Sequence, residues 1–174
     1  MRDIARAAGI TDAAIYYHFA SKRELFEALF EERGITHALA ELEQANITQP
    51  PLETLTAIAV TALSIMQRNK DFMKVLYSEA MSEDPVATED YRMVAERWRK
   101  AEARILREFI GRGDLPPVDV DVAAHQLVLL SIGPFMDEIM SGQDQNGPEP
   151  SERLSERVRS AVKHFVRGLQ AQPV

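Results

Sequence analysis

Apolar residues recur at spacings of three and four positions along nearly the whole chain, a pattern that predicts amphipathic helices. No segment of useful length alternates apolar and polar residues as a half-buried strand does. The predicted helical segments are 2–8, 12–18, 21–44, 52–66, 72–80, 88–110, 120–140 and 151–170. The predicted fold class is therefore all-α, and no internal repeat is evident.

Polar caps and a glycine–proline pair set some of the expected helix ends and bends. Ser21 is predicted to be an N-cap, and Glu24 three residues later completes a capping box. Segment 120–140 is apolar on most sides and should be buried on most of them. Gly133 and Pro134 lie inside this segment and are expected to kink it.

The start of the chain places two short helices around a glycine. Gly9 is predicted to supply the turn between segments 2–8 and 12–18, because a left-handed backbone conformation suits glycine best. Thr11 is the predicted N-cap of the second helix, and Ile15 is its inward-facing anchor. A turn glycine, a cap and an anchor at these spacings indicate a helix-turn-helix, whose second helix reads the DNA major groove.

The distribution of charge agrees with a DNA-binding tip. The chain has a net charge of −7, but residues 1–23 hold four basic and two acidic side chains and are therefore positive. A basic tip on an acidic body can bind DNA while the body repels nonspecific contact. The alternative explanation is a chance fluctuation of charge over a short window.

Composition excludes several other classes of protein. The chain contains no cysteine, which excludes disulfide frameworks, thiolate zinc sites and cysteine nucleophiles. No apolar run approaches the ~18 residues that span a bilayer. The N-terminus also lacks the layout of a signal peptide, so we expect a cytoplasmic protein without membrane contact.

Motifs of catalysis and metal binding are missing from the sequence. A helical bundle can hold a di-iron site through Glu-x-x-His pairs, and none occurs. Asp121 and His125 are four residues apart, but no second ligand pair accompanies them. A buried, hydrogen-bonded or dimer-face histidine is the plainer interpretation of His125. Because no Gly-rich phosphate loop or nucleophile elbow is present either, we predict neither an enzyme nor a metal or cofactor site.

The first thirty residues read MRDIARAAGITDAAIYYHFASKRELFEALF. This string resembles the helix-turn-helix of the tetracycline-repressor (TetR) family of bacterial transcriptional regulators, in residue identity and in spacing across the turn. The resemblance implies phosphate contacts from Thr11, Tyr16, His18 and Lys22. It implies contacts with base edges from Asp12, Ala13 and Tyr17. Asp12 could accept only from a cytosine amine and could instead cap the helix, and the ring of Tyr16 could instead pack over the turn.

The resemblance also implies a dimer with a helical body. The predicted domains are a helix-turn-helix head at 1–33 and a ligand-binding and dimerisation domain at 34–174. Segments 120–140 and 151–170 are the expected dimer helices. A small bundle packs against only one side of each helix, and these two segments carry more apolar surface than that side can bury. The alternative is that both apolar stripes are purely internal core.

In the family, the body senses a small molecule and shifts the separation of two DNA-reading heads. The expected pocket residues are polarisable or aromatic side chains, although plain core is the commoner role of such residues. They are Met66, Met73, Tyr77, Trp98, Phe135 and Met136. We therefore predict a repressor, the commonest type in the family, that binds a palindromic double-stranded DNA operator and is released by a largely apolar effector.

One feature departs from the family pattern. Members carry an additional helix before this motif, whereas this chain begins within the first helix of the motif itself. We expect that the natural start lies upstream of Met1 or that the sequence is trimmed. The alternative function is a dimeric protein that binds a small molecule or a protein partner and has lost effective DNA binding.

Overall fold

The computed structural model describes residues 5, 9–142 and 152–171, and over these residues it is all-helical, as predicted. Its helices are α1 (Asp12–His18), α2 (Lys22–Glu32), α3 (Ile35–Gln44), α4 (Pro51–Arg68), α5 (Lys70–Met81), α6 (Pro85–Arg112), α7 (Val120–Ser141) and α8 (Glu152–Gln170). The helix predicted at 2–8 lies outside the described residues, apart from the buried Ala5. None of the described helices is both long enough and apolar enough to cross a membrane.

Two predicted helix boundaries differ from those observed. The segment predicted at 21–44 is two helices, because Gly34 adopts a left-handed φ of 72° between α2 and α3. This backbone conformation suits glycine, and it reorients the chain where the head meets the body. The helix predicted to start near residue 88 instead starts at Pro85, because the Asp84 carboxylate accepts hydrogen bonds from two backbone N–H groups of its first turn.

The body is built around α4. This helix contacts α5, α7 and α8, while α6 packs against α3, α5 and α7. Leu55, Leu63 and Phe109 are among the large side chains that are fully buried in this core. Truncating one such leucine to alanine costs about 2–5 kcal/mol, so apolar packing holds these helices in place. The packing leaves a partly open cavity lined by residues of α4, α5, α6 and α7, together with Phe30 of α2 and Ile35 of α3.

The last two helices bury their apolar residues differently. In α8 the inward-facing residues between Leu154 and Leu169 are buried against the same chain, which matches the internal-core alternative for this stripe. In α7 three apolar side chains stay on the surface: Val122 is 52% exposed, Leu129 51% and Met140 81%. The apolar surface that a partner subunit could cover therefore lies on α7.

Candidate functional site

The turn before α1 is built as predicted. Gly9 has a φ of 68°, in the left-handed region. The Thr11 hydroxyl caps α1 by accepting a hydrogen bond from the Ala14 N–H at 3.2 Å. Ile15 is only 5% exposed and anchors α1 to the interior. The opposite side of α1 therefore faces outward.

The outward side of α1 carries aromatic side chains. Tyr17 is 85% exposed and Tyr16 is 52% exposed, so neither residue is buried. The Tyr17 and His18 rings meet edge to face, with centroids 5.1 Å apart. Thr11 and Ala13 are also exposed, and Asp12 is half-buried. Large apolar rings on an exposed surface are typical of a binding face.

α2 starts with a variant of the predicted capping box. The Ser21 hydroxyl accepts a hydrogen bond from the Glu24 N–H at 3.1 Å, as predicted. The Glu24 carboxylate accepts from the Ala20 N–H at 2.6 Å, one residue before the N–H that a standard capping box uses. These bonds fix the entry of the chain into α2 and place Lys22 and Arg23 in its first turn.

Lys22 is held by carboxylates of the body. Its Nζ lies 2.8 Å from Asp84 Oδ2 and 2.5 Å from Glu79 Oε2, and its side chain is 19% exposed. Burial lowers the pKa of Lys22, but the hydrogen bonds to Asp84 and Glu79 outweigh it, so the net pKa is raised. The same bond from Lys22 holds the pKa of Asp84 below its usual range. Lys22 can reach a phosphate only by leaving these carboxylates.

Arg23 makes a second contact with the body. Its guanidinium lies 3.7 Å from Asp90 Oδ1 and 3.7 Å from Glu89 Oε2. Asp90 is fully buried, and neither of its oxygens has a hydrogen-bond partner among the described residues. Burial raises the pKa of Asp90, while Arg23 lowers it. We call the set of Lys22, Arg23, Glu79, Asp84 and Asp90 the head–body clasp.

This partly open cavity measures about 90 Å³. Its wall is apolar except for two tyrosines, Trp98 and Ser131. Drug-sized ligands occupy pockets of roughly 300–1,000 Å³, so a ligand of that size would have to extend out of this cavity or move the surrounding helices. The space observed suits one small ring.

The cavity brings together four of the six predicted pocket residues, namely Met66, Met73, Tyr77 and Trp98. The other two lie outside it. Phe135 is fully buried core, and Met136 is half-buried against that core. The cavity ends one helical turn before Phe135, so α7 contributes Ser131 and its apolar neighbours instead.

A carboxyl group adjoins the cavity wall. Glu102 is fully buried, and the Trp98 indole N–H donates a hydrogen bond to its Oε1 at 3.0 Å. Its Oε2 and the Ser131 hydroxyl are buried and have no hydrogen-bond partner among the described residues. Burial raises the pKa of Glu102 to about 8, although the Trp98 bond lowers it. The carboxyl group is therefore mostly protonated at neutral pH.

The sequence contains a signal for Glu102 that our prediction missed. Glu102 follows Trp98 by four residues and precedes Leu106 by four, so all three share one face of α6. A charged residue in the middle of an apolar face points to a buried polar group. Tyr91 was also missed; its ring meets that of Tyr77 edge to face, with centroids 5.5 Å apart. Burial and then Tyr91 raise the pKa of Tyr77, which stays neutral.

Two family models match the chain. The model described as bacterial regulatory proteins, tetR family, matches residues 1–29. The model described as AefR-like transcriptional repressor, C-terminal domain, matches residues 53–169, which is more than half of the chain.

The chain belongs to the TetR family. Members of this family are DNA-binding transcriptional regulators and not enzymes, so the predicted family and function are confirmed. TetR-family regulators bind DNA operators, form dimers and bind small-molecule effectors.

Individual relatives are distant. The transcriptional repressor BepR of Brucella suis is 25% identical over 154 residues, which cover 82% of this chain and 71% of BepR. The nucleoid occlusion factor SlmA of Vibrio cholerae is 27% identical over 129 residues, which cover 72% of this chain and 65% of SlmA. The structure of the transcriptional regulator FadR of Bacillus subtilis in complex with stearoyl-CoA has a TM-score of 0.71 at 20% identity, over 95% of this chain and 86% of FadR. At this identity the structural likeness to FadR concerns the fold.

Proposed function

We propose that this TetR-family chain acts as a homodimeric repressor that binds a palindromic operator and is released by a largely apolar effector. The observation that carries the proposal is the exposed aromatic face of α1, where Tyr17 is 85% exposed on a helix anchored by Ile15. A repressor also agrees with the name of the relative BepR.

The proposed DNA contacts divide by position on α1 and α2. A recognition helix turns its N-terminal residues to base edges, while its flanks and the neighbouring helix meet phosphates. We assign base contacts to Asp12, Ala13 and Tyr17. We assign phosphate contacts to Thr11, Tyr16, His18 and Lys22. The resemblance and the exposure of α1 support this division, and Lys22 must leave the head–body clasp to take its place.

Tyr17→Ala is expected to change which DNA sequences are preferred. Loss of a base contact should lower affinity for the selected operator about tenfold and leave affinity for random duplex within about twofold. Fluorescence anisotropy with the two duplexes measures both. Lys22→Ala is the matched comparison, because loss of a phosphate contact should weaken both duplexes similarly and reduce the salt slope by about one. If Tyr17→Ala lowered the affinity for both duplexes equally, Tyr17 would not be one of the residues that contact base edges.

The proposed dimer uses the outer face of α7. Val122, Leu129 and Met140 are exposed at spacings of seven and eleven residues, which places them along one side of a helix. His125 is exposed beside this row, consistent with a dimer-face histidine. A symmetric dimer through α7 presents two heads related by a two-fold axis, so its operator is a palindrome. The charged outer face of α8 would form the rim of this interface.

The proposed effector site is the cavity in the body. Its apolar wall favours a largely apolar molecule, and the structurally similar FadR is in complex with stearoyl-CoA. Because the cavity measures about 90 Å³, a larger effector would either extend out of it or move the helices that line it.

The head–body clasp connects this cavity with the head. α5 carries Tyr77 in the cavity wall and Glu79 in the clasp, and α6 carries Trp98 in the wall and is capped by Asp84 of the clasp. A shift of either helix at the cavity therefore moves the carboxylates that hold Lys22. We propose that the head follows this shift, so that effector binding changes the distance between the two heads of the dimer.

Glu79→Gln is expected to raise affinity for operator and for random DNA by about threefold, because Lys22 becomes available to a phosphate and the salt slope increases. The same change should reduce effector-induced release, since the clasp is weaker. Glu83→Gln removes one negative charge at the same corner without a described contact to Lys22, and serves as the control. In a Lys22→Ala background the gain should vanish; an undiminished gain there would mean that the clasp does not compete with DNA.

Selection from a randomised duplex pool, followed by sequencing, tests the function as a whole. The sample is this chain, with a second sample extended by the in-frame codons that precede Met1. An enriched palindrome from either sample supports the repressor, and gel-shift stoichiometry should give two chains per site. No enrichment from both samples would overturn the proposal and favour a ligand-binding dimer without effective DNA binding.

A further inference from the structure

The two cations of the head–body clasp are not equally well paired. Lys22 Nζ lies 2.5 and 2.8 Å from its two carboxylate oxygens, within hydrogen-bond distance of both. The nearest Arg23 nitrogen lies 3.7 Å from Asp90 Oδ1, beyond the roughly 2.7–3.2 Å that separate nitrogen and oxygen in a hydrogen bond. In this structure Lys22 is therefore held firmly by the body, and Arg23 only loosely.

The loose contact is costly for the carboxylate on the body. The side chain of Asp90 is 1% exposed, whereas that of Glu89, the other partner of Arg23, is 53% exposed. Neither oxygen of Asp90 accepts a hydrogen bond from a described residue. Burial raises the pKa of Asp90 and outweighs the opposing effect of Arg23. A buried carboxylate without donors favours any arrangement of the chain that supplies them.

Arg23 can supply these donors after a small movement. Its planar guanidinium carries paired N–H groups that match the two oxygens of a carboxylate. A shift of about 1 Å would bring it within hydrogen-bond distance of Asp90 Oδ1. Arg23 follows Lys22 in the first turn of α2, and consecutive helical side chains point about 100° apart. The two side chains therefore meet the body in different directions, and a movement of α2 that frees Lys22 can close Arg23 on Asp90.

We propose that Asp90 is a positioning residue for DNA binding, with which Arg23 closes a two-pronged ion pair when Lys22 leaves the clasp for a phosphate. The inference rests on the proposed function, because it takes the head to change position between the operator-bound and the released repressor. The closed pair holds each head at the spacing that fits the two half-sites, and the Lys22 contacts hold the other position. Two neighbouring cations of one helix thus stabilise two different positions of the head.

Asp90→Asn tests the proposal, and Glu89→Gln is the matched control. Glu89 also lies 3.7 Å from Arg23, but it is exposed, so water screens its attraction for the guanidinium. Fluorescence anisotropy is measured with the operator selected from the randomised pool and with a random duplex. We expect Asp90→Asn to lower affinity for the operator at least about tenfold and to leave affinity for the random duplex within about twofold, because head spacing matters only where two half-sites must be matched. Glu89→Gln should leave both affinities within about twofold.

The stability of the chain without DNA separates a positioning role from a structural one. A neutral amide costs less to bury than an unpartnered carboxylate, so the urea midpoint of Asp90→Asn should be no lower than that of the wild type. A fall in this midpoint alongside the fall in operator affinity would make Asp90 an ordinary structural residue and overturn the proposal.

Variants of Arg23 test the other half of the pair, and they decide the question if Asp90→Asn fails to fold. Arg23→Gln should lose as much operator affinity as Asp90→Asn, and the double variant should lose no more than either, because all three lack the same pair. Arg23→Lys should lose most of this affinity as well, because lysine keeps the charge but not the paired donors. If Arg23→Gln instead weakened both duplexes equally and lowered the salt slope by about one, Arg23 would contact a phosphate and the proposal would be wrong.

The outcomes also separate this inference from the proposed function. A wild-type chain that enriches no duplex, with or without the upstream extension, overturns the proposed function and the inference with it. A wild-type chain that binds its operator no more tightly than Asp90→Asn does overturns the inference alone.

Discussion

Leu129→Glu is expected to convert the dimer into a monomer and to lower operator affinity at least about 100-fold. Leu129 lies in the middle of the exposed apolar row on α7 and is 51% exposed in the single chain. In a symmetric dimer each introduced carboxylate would be buried without a partner in an apolar interface, next to its own copy. Separate heads lose the avidity of two linked half-sites, which contributes about 10²–10⁴ in affinity.

Sedimentation equilibrium and operator gel shifts measure the two parts of this prediction. Val75→Glu is the control, because Val75 is 50% exposed on α5, a helix outside the proposed interface. Both variants place a new carboxylate on a half-exposed apolar position, but only Leu129→Glu should change the oligomeric state. A dimeric Leu129→Glu chain with full operator affinity would move the interface away from this face of α7.

Glu102 is expected to make the stability of the fold depend on pH. Its pKa is raised from 4.5 to about 8 in the folded chain, so folding favours the protonated group. That stabilisation is complete below the unfolded pKa and is lost as pH rises towards and through 8. The free energy of unfolding of the wild type should therefore fall, relative to Glu102→Gln, by on the order of 4 kcal/mol between pH 4.5 and pH 8.

Urea unfolding at fixed protein concentration, across this pH range, measures the difference between the two chains. Using the difference cancels the contributions of all the other titrating groups. Glu156→Gln, on the exposed face of α8, is the control and should run parallel to the wild type. If the free energy of unfolding of Glu102→Gln also ran parallel to that of the wild type across this pH range, the carboxyl group would be solvated in solution.

Much of the fold follows from local pattern. Helical periodicity predicts α1, α4 and α7 to within about two residues, because caps and prolines mark their ends. The break at Gly34 was missed, since the apolar stripe continues on both sides of it. The sequence does not decide whether α8 is buried within its own chain or against a partner, for a different reason. An apolar stripe has the same pattern whether it packs on the same subunit or on a partner, and only the tertiary contacts decide.

The part of the candidate site that lies within one continuous sequence motif could be predicted. The string from Thr11 to Lys22 fixes the exposed face of α1, but it does not show that Lys22 is held by Glu79 and Asp84. Those partners are 57 and 62 residues away in sequence, and no local pattern links them. Glu102 is the opposite case, because its position on the apolar face of α6 was visible in the sequence.

Because α6 is long, a small shift of this helix at the cavity would become a larger shift at its N-terminal end, beside the head. α6 has 28 residues and is therefore about 42 Å long, with Trp98 near its midpoint and Asp84 at its first turn. Phe109 is fully buried near the other end, and we take it as the point about which a moving α6 would turn. A rigid rod that moves about 1 Å at its midpoint moves about 2 Å at its free end, which exceeds the tolerance of a hydrogen bond. In the proposed dimer, such a shift would either move the head together with Asp84 or break the contact between Asp84 and Lys22, and the two-fold axis would double the change in the distance between the two heads.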